Sequence, residues 1–304
     1  MTATTPTAGP PKPLKGIVIL LGAVACFACM DASAKWLGRR DVPALEIAGM
    51  RYVASLVVAV AALRVWRRPE LLRSRRPALQ WGRAICLIGS TLGCFIAVRK
   101  LPLTQFTSIN FSAPLITALL AGPLLGERIG PRRLVAVLVG FAGVLVITRP
   151  FGGSFSASMG FAVLAALSNA FYFLATRMIA AHDRAETTML YTSLVGTLLV
   201  SPALLVSWQT PSGWLTWAVL LALGAIGAAG HWLLIVAHRH APASTLAPFF
   251  YAQILGAVAF GLAVFGDAPD RWTLIGGGIV IGSGLYLLYR ERVRHKFPSA
   301  DVAA

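Results

Sequence analysis

The chain has 304 residues, of which 57% are hydrophobic and 12% charged, with a formal charge of +16. A soluble protein of this length carries about twice that charged fraction, so a cytosolic enzyme, a secreted disulfide scaffold and a disordered chain are excluded. The cations sit mainly between apolar runs, which makes membrane topology, rather than nucleic acid, the first explanation of the charge.

In chain order, a Thr/Pro/Gly-rich tail (residues 1–14) precedes apolar segments over residues 16–36, 44–63, 85–98, 104–125, 134–147, 160–174, 189–208, 215–237, 245–265 and 272–288. The runs are continuous rather than alternating and near the ~20 residues that cross a ~30 Å hydrocarbon core, which predicts helices. The third, fifth and sixth are short as read, so their ends are expected to extend into the flanks. The first is longer than the apolar region of a cleaved signal peptide and is read as retained. Ten spans place both termini on one side. With that side cytoplasmic, nineteen of the 27 Lys and Arg fall inside, among them Lys12, Lys15, Arg64, Arg83, Arg132, Arg184, Arg292 and Lys296. Lys35, Arg39, Arg40, Arg99, Lys100, Arg149 and Arg271 fall outside, and Arg51 lies within a span. This bias predicts cytoplasmic termini and a multi-pass protein of the inner membrane.

Cys26, Cys29, Cys86 and Cys94 all lie in apolar segments, and Cys26-Phe27-Ala28-Cys29 lacks a second Cys or His pair, so no metal or cofactor is expected. The chain has no GxxxxGK[ST] loop, so ATP is not its direct energy source. An aspartyl protease would need a second mid-membrane Asp beside Asp31, and Ser283 with His231 is the only raw material for Ser/His chemistry. No enzyme is expected.

At a shift of 140 the chain aligns with itself without gaps: Arg99 falls on Arg239, Pro102 on Pro242, Thr104 on Ser244, Phe111 on Tyr251, Gly126 on Gly266 and Glu127 on Asp267. An odd number of spans per copy turns the second copy upside down, the inverted-repeat pattern of secondary transporters. The predicted fold is therefore an all-α integral membrane protein of ten transmembrane helices, built as two inverted five-helix repeats. The repeats cover residues 15–149 and 150–289, between cytoplasmic tails at 1–14 and 290–304.

Ala48-Gly49-Met50-Arg51-Tyr52 stands early in the second span, and Leu125-Gly126-Glu127-Arg128 precedes a fifth span carrying Gly140 and Gly143. With these features the sequence resembles the EamA family of the drug/metabolite transporter superfamily. Gly266-Asp267 departs from the Gly-Glu pattern, so no role needing a long carboxylate carries over. The resemblance implies a bundle around a central cavity walled by spans four and nine. It implies a carrier of small metabolites, most often an exporter, with amino acids among the cargoes. Relatives that take up S-adenosylmethionine or riboflavin, and others that release metal-chelating opines, leave the substrate open.

Ionisable groups inside a bilayer are functional candidates by default. Asp31 lies about 8 Å and Arg51 about 11 Å from the outer ends of their spans at 1.5 Å per residue, so the two could meet; Lys35 is at i+4 from Asp31. Asp31, Lys35 and Arg51 are the gating or coupling candidates, against the alternative of a static ion pair stitching spans one and two. Span four opens with Thr104, Gln105, Thr107, Ser108, Asn110 and Ser112, and Pro114 breaks its backbone ladder at Asn110. Its repeat mate carries Tyr251 and Gln253, span six carries Asn169 and Tyr172, and span eight carries His231. Gln105, Asn110, Ser112, Asn169, Tyr172, His231, Tyr251 and Gln253 are the cavity candidates, with interhelical glue as the competing role. Glu127 and Asp267 are read as loop anchors pairing with Arg128 and Arg271. Gly89/Gly93 and Gly278/Gly282 are read as close helix contacts.

The expectation is a secondary active transporter that exports a small, low-net-charge, amino-acid-like or amphipathic metabolite by alternating access between the two repeats. Uptake, opine-type metallophore export and lipid-carrier flipping stay open as alternatives. The expected partners are the small-molecule substrate and membrane lipids, with no nucleic acid; a homodimer stays open.

Overall fold

The computed structural model describes residues 13–125, 131–149, 155–179, 182–241 and 246–296; both tail ends, the Gly126-Glu127-Arg128 junction and Ser244-Thr245 lie outside them. The described residues form helices and connections, with no strand among them. In chain order the helices are α1 (Pro13–Gly38), α2 (Ala44–Leu63), α3 (Pro77–Val98), α4 (Leu103–Asn110), α5 (Ala113–Leu125) and α6 (Pro131–Thr148). They continue with α7 (Ala157–Ile179), α8 (Ala185–Ser207), α9 (Trp214–His240), α10 (Gln253–Phe265) and α11 (Arg271–Lys296). Among the described residues, seven helices are long and apolar enough to cross a membrane: α1, α2, α3, α7, α8, α9 and α11. Shorter apolar helices run over Leu134–Thr148 and Phe249–Phe265.

Local chemistry sets the ends. Pro77 and Pro131 open α3 and α6, where a missing N–H leaves no bond unmade. Asp270 caps α11 by accepting the Thr273 N–H at 2.8 Å. α2 stops at Arg64, which adopts a left-handed backbone with φ 49°. The helix ladder ends at Asn110, is interrupted at Phe111-Ser112, and resumes in α5, whose second residue is Pro114. The counterpart segment is interrupted too, as a 3-10 turn (Ala247–Ala252) leading into α10. The two breaks meet: Phe111 and Tyr251 stack edge-to-face, ring centroids 4.9 Å apart.

Helix pairing is extensive between α1 and α9, α3 and α7, α2 and α8, and α6 and α11. Lipid tails are as apolar as the helices, so these pairings rest on close packing of small residues. Ala23, Ala34, Ala48, Ala97, Ala162 and Ala165 are fully or almost fully buried in the bundle. A Cβ on Gly93 of α3 would lie 2.9 Å from the Phe161 carbonyl oxygen of α7. At the α6–α11 contact, a Cβ on Gly143 would lie 2.8 Å from the Gly276 carbonyl oxygen. Gly89 and Gly93 thus sit at a close contact, but Gly278 and Gly282 do not: a Cβ on either would meet nothing within 4 Å. The packed face of α11 is set two residues earlier, at Gly276, because its turn register presents Gly276 and Val280 to α6.

Gly143→Leu is expected to destabilise the protein by about 1–3 kcal/mol through overpacking, read as a lower melting temperature in detergent. Gly278→Leu should melt like the wild type; equal losses in both would remove the assigned α6–α11 register.

Candidate functional site

A cavity of about 460 Å³ lies between α2, α3, α7, α8 and α9. Its wall includes Arg51, Tyr52, Arg83, Tyr172, Thr192 and His231. At one end stands Asp183, in the turn between α7 and α8, and at the other stand Arg51 and Tyr52.

Asp183 ties the start of α3 to the α7–α8 turn. It accepts from the Ser74 hydroxyl, from the Arg75 N–H at 2.8 Å and from Gln80 Nε2 at 2.9 Å. Burial pushes its carboxyl up, but these hydrogen bonds outweigh burial and hold it below the ordinary Asp range. Gln80 also donates to Thr188 at 3.1 Å and, through its carbonyl oxygen, accepts from Arg83 Nε at 3.3 Å. Arg83 is 1% exposed, and its other nitrogens reach Thr176, the Thr188 carbonyl and Thr192. Its guanidinium lies 5.0 Å from the Tyr172 ring centroid. Neutral acceptors and one aromatic face therefore satisfy this buried cation.

Arg51 is held differently. Its Nη1 donates to Thr91 at 2.7 Å, and Tyr52 shares that same hydroxyl at 3.1 Å. His231 faces Phe27 edge-to-face at 5.1 Å. Ser55 donates to the Gly224 carbonyl at 3.0 Å, joining α2 to α9.

Beyond Arg51 the bundle is closed. Lys35, 1% exposed, pairs with Asp267 and donates to the Leu101 carbonyl at 2.7 Å. Arg39 adds a 3.1 Å contact to the same carboxylate, and both cations lie about 5 Å from the Phe265 ring. Gly266 in a left-handed conformation (φ 66°) turns the chain so that the Asp267 N–H returns to the Gly261 carbonyl, aiming the carboxylate at α1. Arg99 bonds the Gly38 carbonyl at 3.2 Å, and Arg149 pairs with Asp270 at 3.1 Å, at the same end. Between this closure and the cavity, Asp31 accepts from Gln253 at 3.1 Å and lies 3.6 Å from the Cys94 thiol.

Arg51, Tyr172 and His231 line the cavity. Gln105 and Ser112 are buried within the bundle, and Asn110 is half-buried with its side-chain oxygen unpartnered; none of the three touches the cavity wall. Asn169 is half-buried on α7, outside the lining. Tyr251 is committed to Phe111, and Gln253 to Asp31. Asp31, Lys35 and Arg51 are not brought together as an ion pair: Lys35 reaches Asp267 instead, because the Asp31 carboxylate is taken by Gln253 and Cys94. Asp267 pairs with Lys35 and Arg39 rather than Arg271, which lies over the Trp272 ring at 5.1 Å. The expected Glu127–Arg128 pair falls outside the described residues.

Sequence reasoning missed Arg83, counted as a loop cation; α3 begins at Pro77, so Arg83 is two turns inside the bundle. The Gln80-x-x-Arg83 spacing, which puts both side chains on one helix face, was the available signal.

The sequence model of the EamA-like transporter family matches residues 14–149 and 157–290. A riboflavin transporter of Vibrio cholerae is 27% identical over 281 residues, covering 92% of this chain and 94% of the relative. An S-adenosylmethionine uptake transporter of Rickettsia bellii is 28% identical, covering 91% and 94%. A pseudopaline exporter of Pseudomonas aeruginosa is 26% identical, covering 88% and 93%. A crystal structure at 21% identity superposes with a TM-score of 0.63 over 92% of this chain and 99% of that one, which shows a shared fold.

Asp267→Asn leaves Lys35 buried without its carboxylate, a change that is strongly destabilising for an ion pair. In a Leu101→Cys background, this substitution is expected to raise the labelling rate by a water-soluble maleimide roughly tenfold for each 1.4 kcal/mol lost at the closure. An unchanged rate would remove Lys35–Asp267 as the closing contact.

Proposed function

The chain belongs to the EamA-like transporter family, and from that membership we propose that it carries a small metabolite of low net charge, amino-acid-like or amphipathic, across the inner membrane by alternating access. The observation that carries the reading is the one-ended cavity: it reaches from Asp183 to Arg51 and stops short of the Lys35–Asp267 closure. A polar-headed, aromatic-walled chamber blocked at one end is what a carrier needs in one of its two states.

The ten-span, two-repeat architecture belongs to this proposal. In it, α4 with α5 and the 3-10 turn with α10 each form one interrupted span, the fourth and the ninth. The first span then packs on the eighth as the sixth packs on the third, and the second and fifth pack on their own counterparts, the seventh and tenth. That exchange is what a two-fold relation between halves would produce. The family match to two consecutive stretches supports it as well. With the termini cytoplasmic, the Asp183 end faces the cytoplasm, and the cavity is loaded from that side, as export requires.

Uptake is the second reading, favoured by the Rickettsia relative, which is named an uptake transporter and matches over nearly the full chain. Comparison of metabolites inside cells and in the medium, with the gene deleted and overexpressed, separates the two. Export predicts one species retained on deletion and lost on overexpression; the opposite pattern replaces export by uptake, and no change in any metabolite overturns the transport reading itself.

Asp31 is the proposed coupling residue. It is buried, and its hydrogen-bond partners Cys94 and Gln253 are both neutral donors, so its charge can change without breaking a charge pair. Asp31→Asn is expected to abolish accumulation against a gradient in proteoliposomes while downhill exchange continues. Uphill transport by the variant would exclude proton carriage by Asp31.

A further inference from the structure

Among the buried cations of the described residues, Arg51 alone keeps a nitrogen with no hydrogen-bond acceptor. It is 4% exposed, lines the cavity, and its Nε is buried with no hydrogen-bond partner. The donors of Arg83 are taken by Gln80, Thr176, Thr188 and Thr192, and Lys35 is held by Asp267. Among the described residues, no carboxylate stands within ion-pair distance of Arg51; Asp31, the nearby acid, is bonded to Gln253 and Cys94. A buried guanidinium donor without an acceptor is unfavourable by more than a typical hydrogen bond is favourable, so the position calls for an acceptor that the protein does not supply.

The geometry narrows what that acceptor is. Nη1 donates to Thr91, which fixes the plane of the guanidinium and leaves the Nε–Nη2 edge. Two parallel N–H donors on that edge match the two oxygens of a carboxylate. The backbone beside Nε is that of Gly227 on α9, and a Cβ there would stand 3.3 Å from Met30 Sδ, 3.6 Å from Arg51 Nε and 4.0 Å from Ser55 Oγ, so a side chain at this position would pack directly against the edge. The rest of the cavity wall combines apolar and aromatic side chains, Tyr172, Met189 and Leu234 among them, with the threonines that surround Arg83.

We propose that the Nε edge of Arg51 is the anchor for a carboxylate of the transported molecule, so that the substrate class is a small amphipathic carboxylic acid, zwitterions included. The inference rests on the transport reading above and names the cargo chemistry of that same cavity. A carboxylate at the head of the chamber satisfies Arg51 through two charge-assisted hydrogen bonds, and an apolar or planar body extends toward Tyr172 and the Asp183 end.

The test uses the full-length protein in lipid nanodiscs and three matched probes: 3-phenylpropanoate, its amide and 3-phenylpropylamine. The carboxylate is expected to raise the melting temperature in a concentration-dependent way, and the amide and amine are not. Arg51→Gln should weaken carboxylate binding at least tenfold, and Arg51→Lys, which keeps the charge but not the edge, should restore only part of it. Gly227→Ala keeps Arg51 and its Thr91 bond while filling the space beside Nε; it should weaken carboxylate binding with little change in the ligand-free melting temperature, which covers the case in which Arg51→Gln does not fold. No shift with the carboxylate, equal shifts with carboxylate and amide, or undiminished binding in the Arg51 or Gly227 variants overturns the proposal. Flux of the same probes in proteoliposomes separates the two claims: carboxylate binding that depends on Arg51, without any flux, overturns transport alone, whereas flux of a neutral or cationic cargo that survives Arg51→Gln overturns the anchor alone.

Discussion

A cation taken out of water must find its counter-charge or its acceptors inside the protein, and three buried cations organise this bundle around that requirement. Lys35 finds the carboxylate of Asp267 in the turn that follows α10, so α1 and the end of α10 close together at one end. Arg83 finds neutral oxygens on α7 and α8, so α3 holds those helices apart by the width of a guanidinium and a row of threonines. Arg51, between them, finds one hydrogen-bond acceptor, Thr91, and the face of the Tyr52 ring 5.0 Å away. The cavity occupies the stretch from Asp183 past Arg83 to Arg51, where the cations meet oxygens rather than carboxylates, and it stops short of the end at which Lys35 and Asp267 draw two segments together.

The interrupted segments act on the same geometry. A continuous helix over residues 104–125 would carry its polar residues past the centre of the bundle on a fixed 3.6-residue spiral. The break at Phe111-Ser112 releases that register, and the 3-10 turn before Gln253 does the same on the other side. Phe111 and Tyr251, which the internal shift of 140 superposes, are the residues whose rings touch. Because α10 restarts as a regular helix at Gln253, its first residue points at Asp31 and its last places Asp267 against Lys35. A single helix of 13 residues thus links the buried acid to the closing ion pair.

Apolar length and continuity were enough to place helices: the predicted and observed bounds of the second segment coincide, and the short third, fifth and sixth segments extend into their flanks as expected. Pro114 located the end of α4 at Asn110, because a proline removes a donor whose partner lies four residues back. Partner choice was not legible in the same way. Lys35 at i+4 from Asp31 is a favourable local arrangement, but a local helix pair contributes about 0.3–0.5 kcal/mol, and burial of both side chains lets tertiary partners decide. Asp31 then goes to Gln253, 222 residues away, and Lys35 to Asp267, 232 residues away. Arg83 was obscured because Gln80 and Arg83 make the start of α3 read as a loop. The polar face of α4 drew attention through composition alone, and composition does not say which way a helix face turns: Ser108 packs against Gly277 rather than toward the cavity.

The charge of +16 therefore separates into two kinds of information. Most of the 27 cations flank the spans and bear on orientation, so their excess says nothing about the cargo. Arg83, read as flanking, and Lys35, read as a gating candidate, are held by the protein itself: Arg83 by Gln80, Thr176, Thr188 and Thr192, and Lys35 by Asp267 and the Leu101 carbonyl. Among the buried cations of the described residues, Arg51 is the one with a buried nitrogen that has no acceptor. A net charge sums over all of these and so cannot predict substrate charge; the orphaned Nε of a single buried arginine can, because its unmet hydrogen bond has a position, a direction and a required partner chemistry.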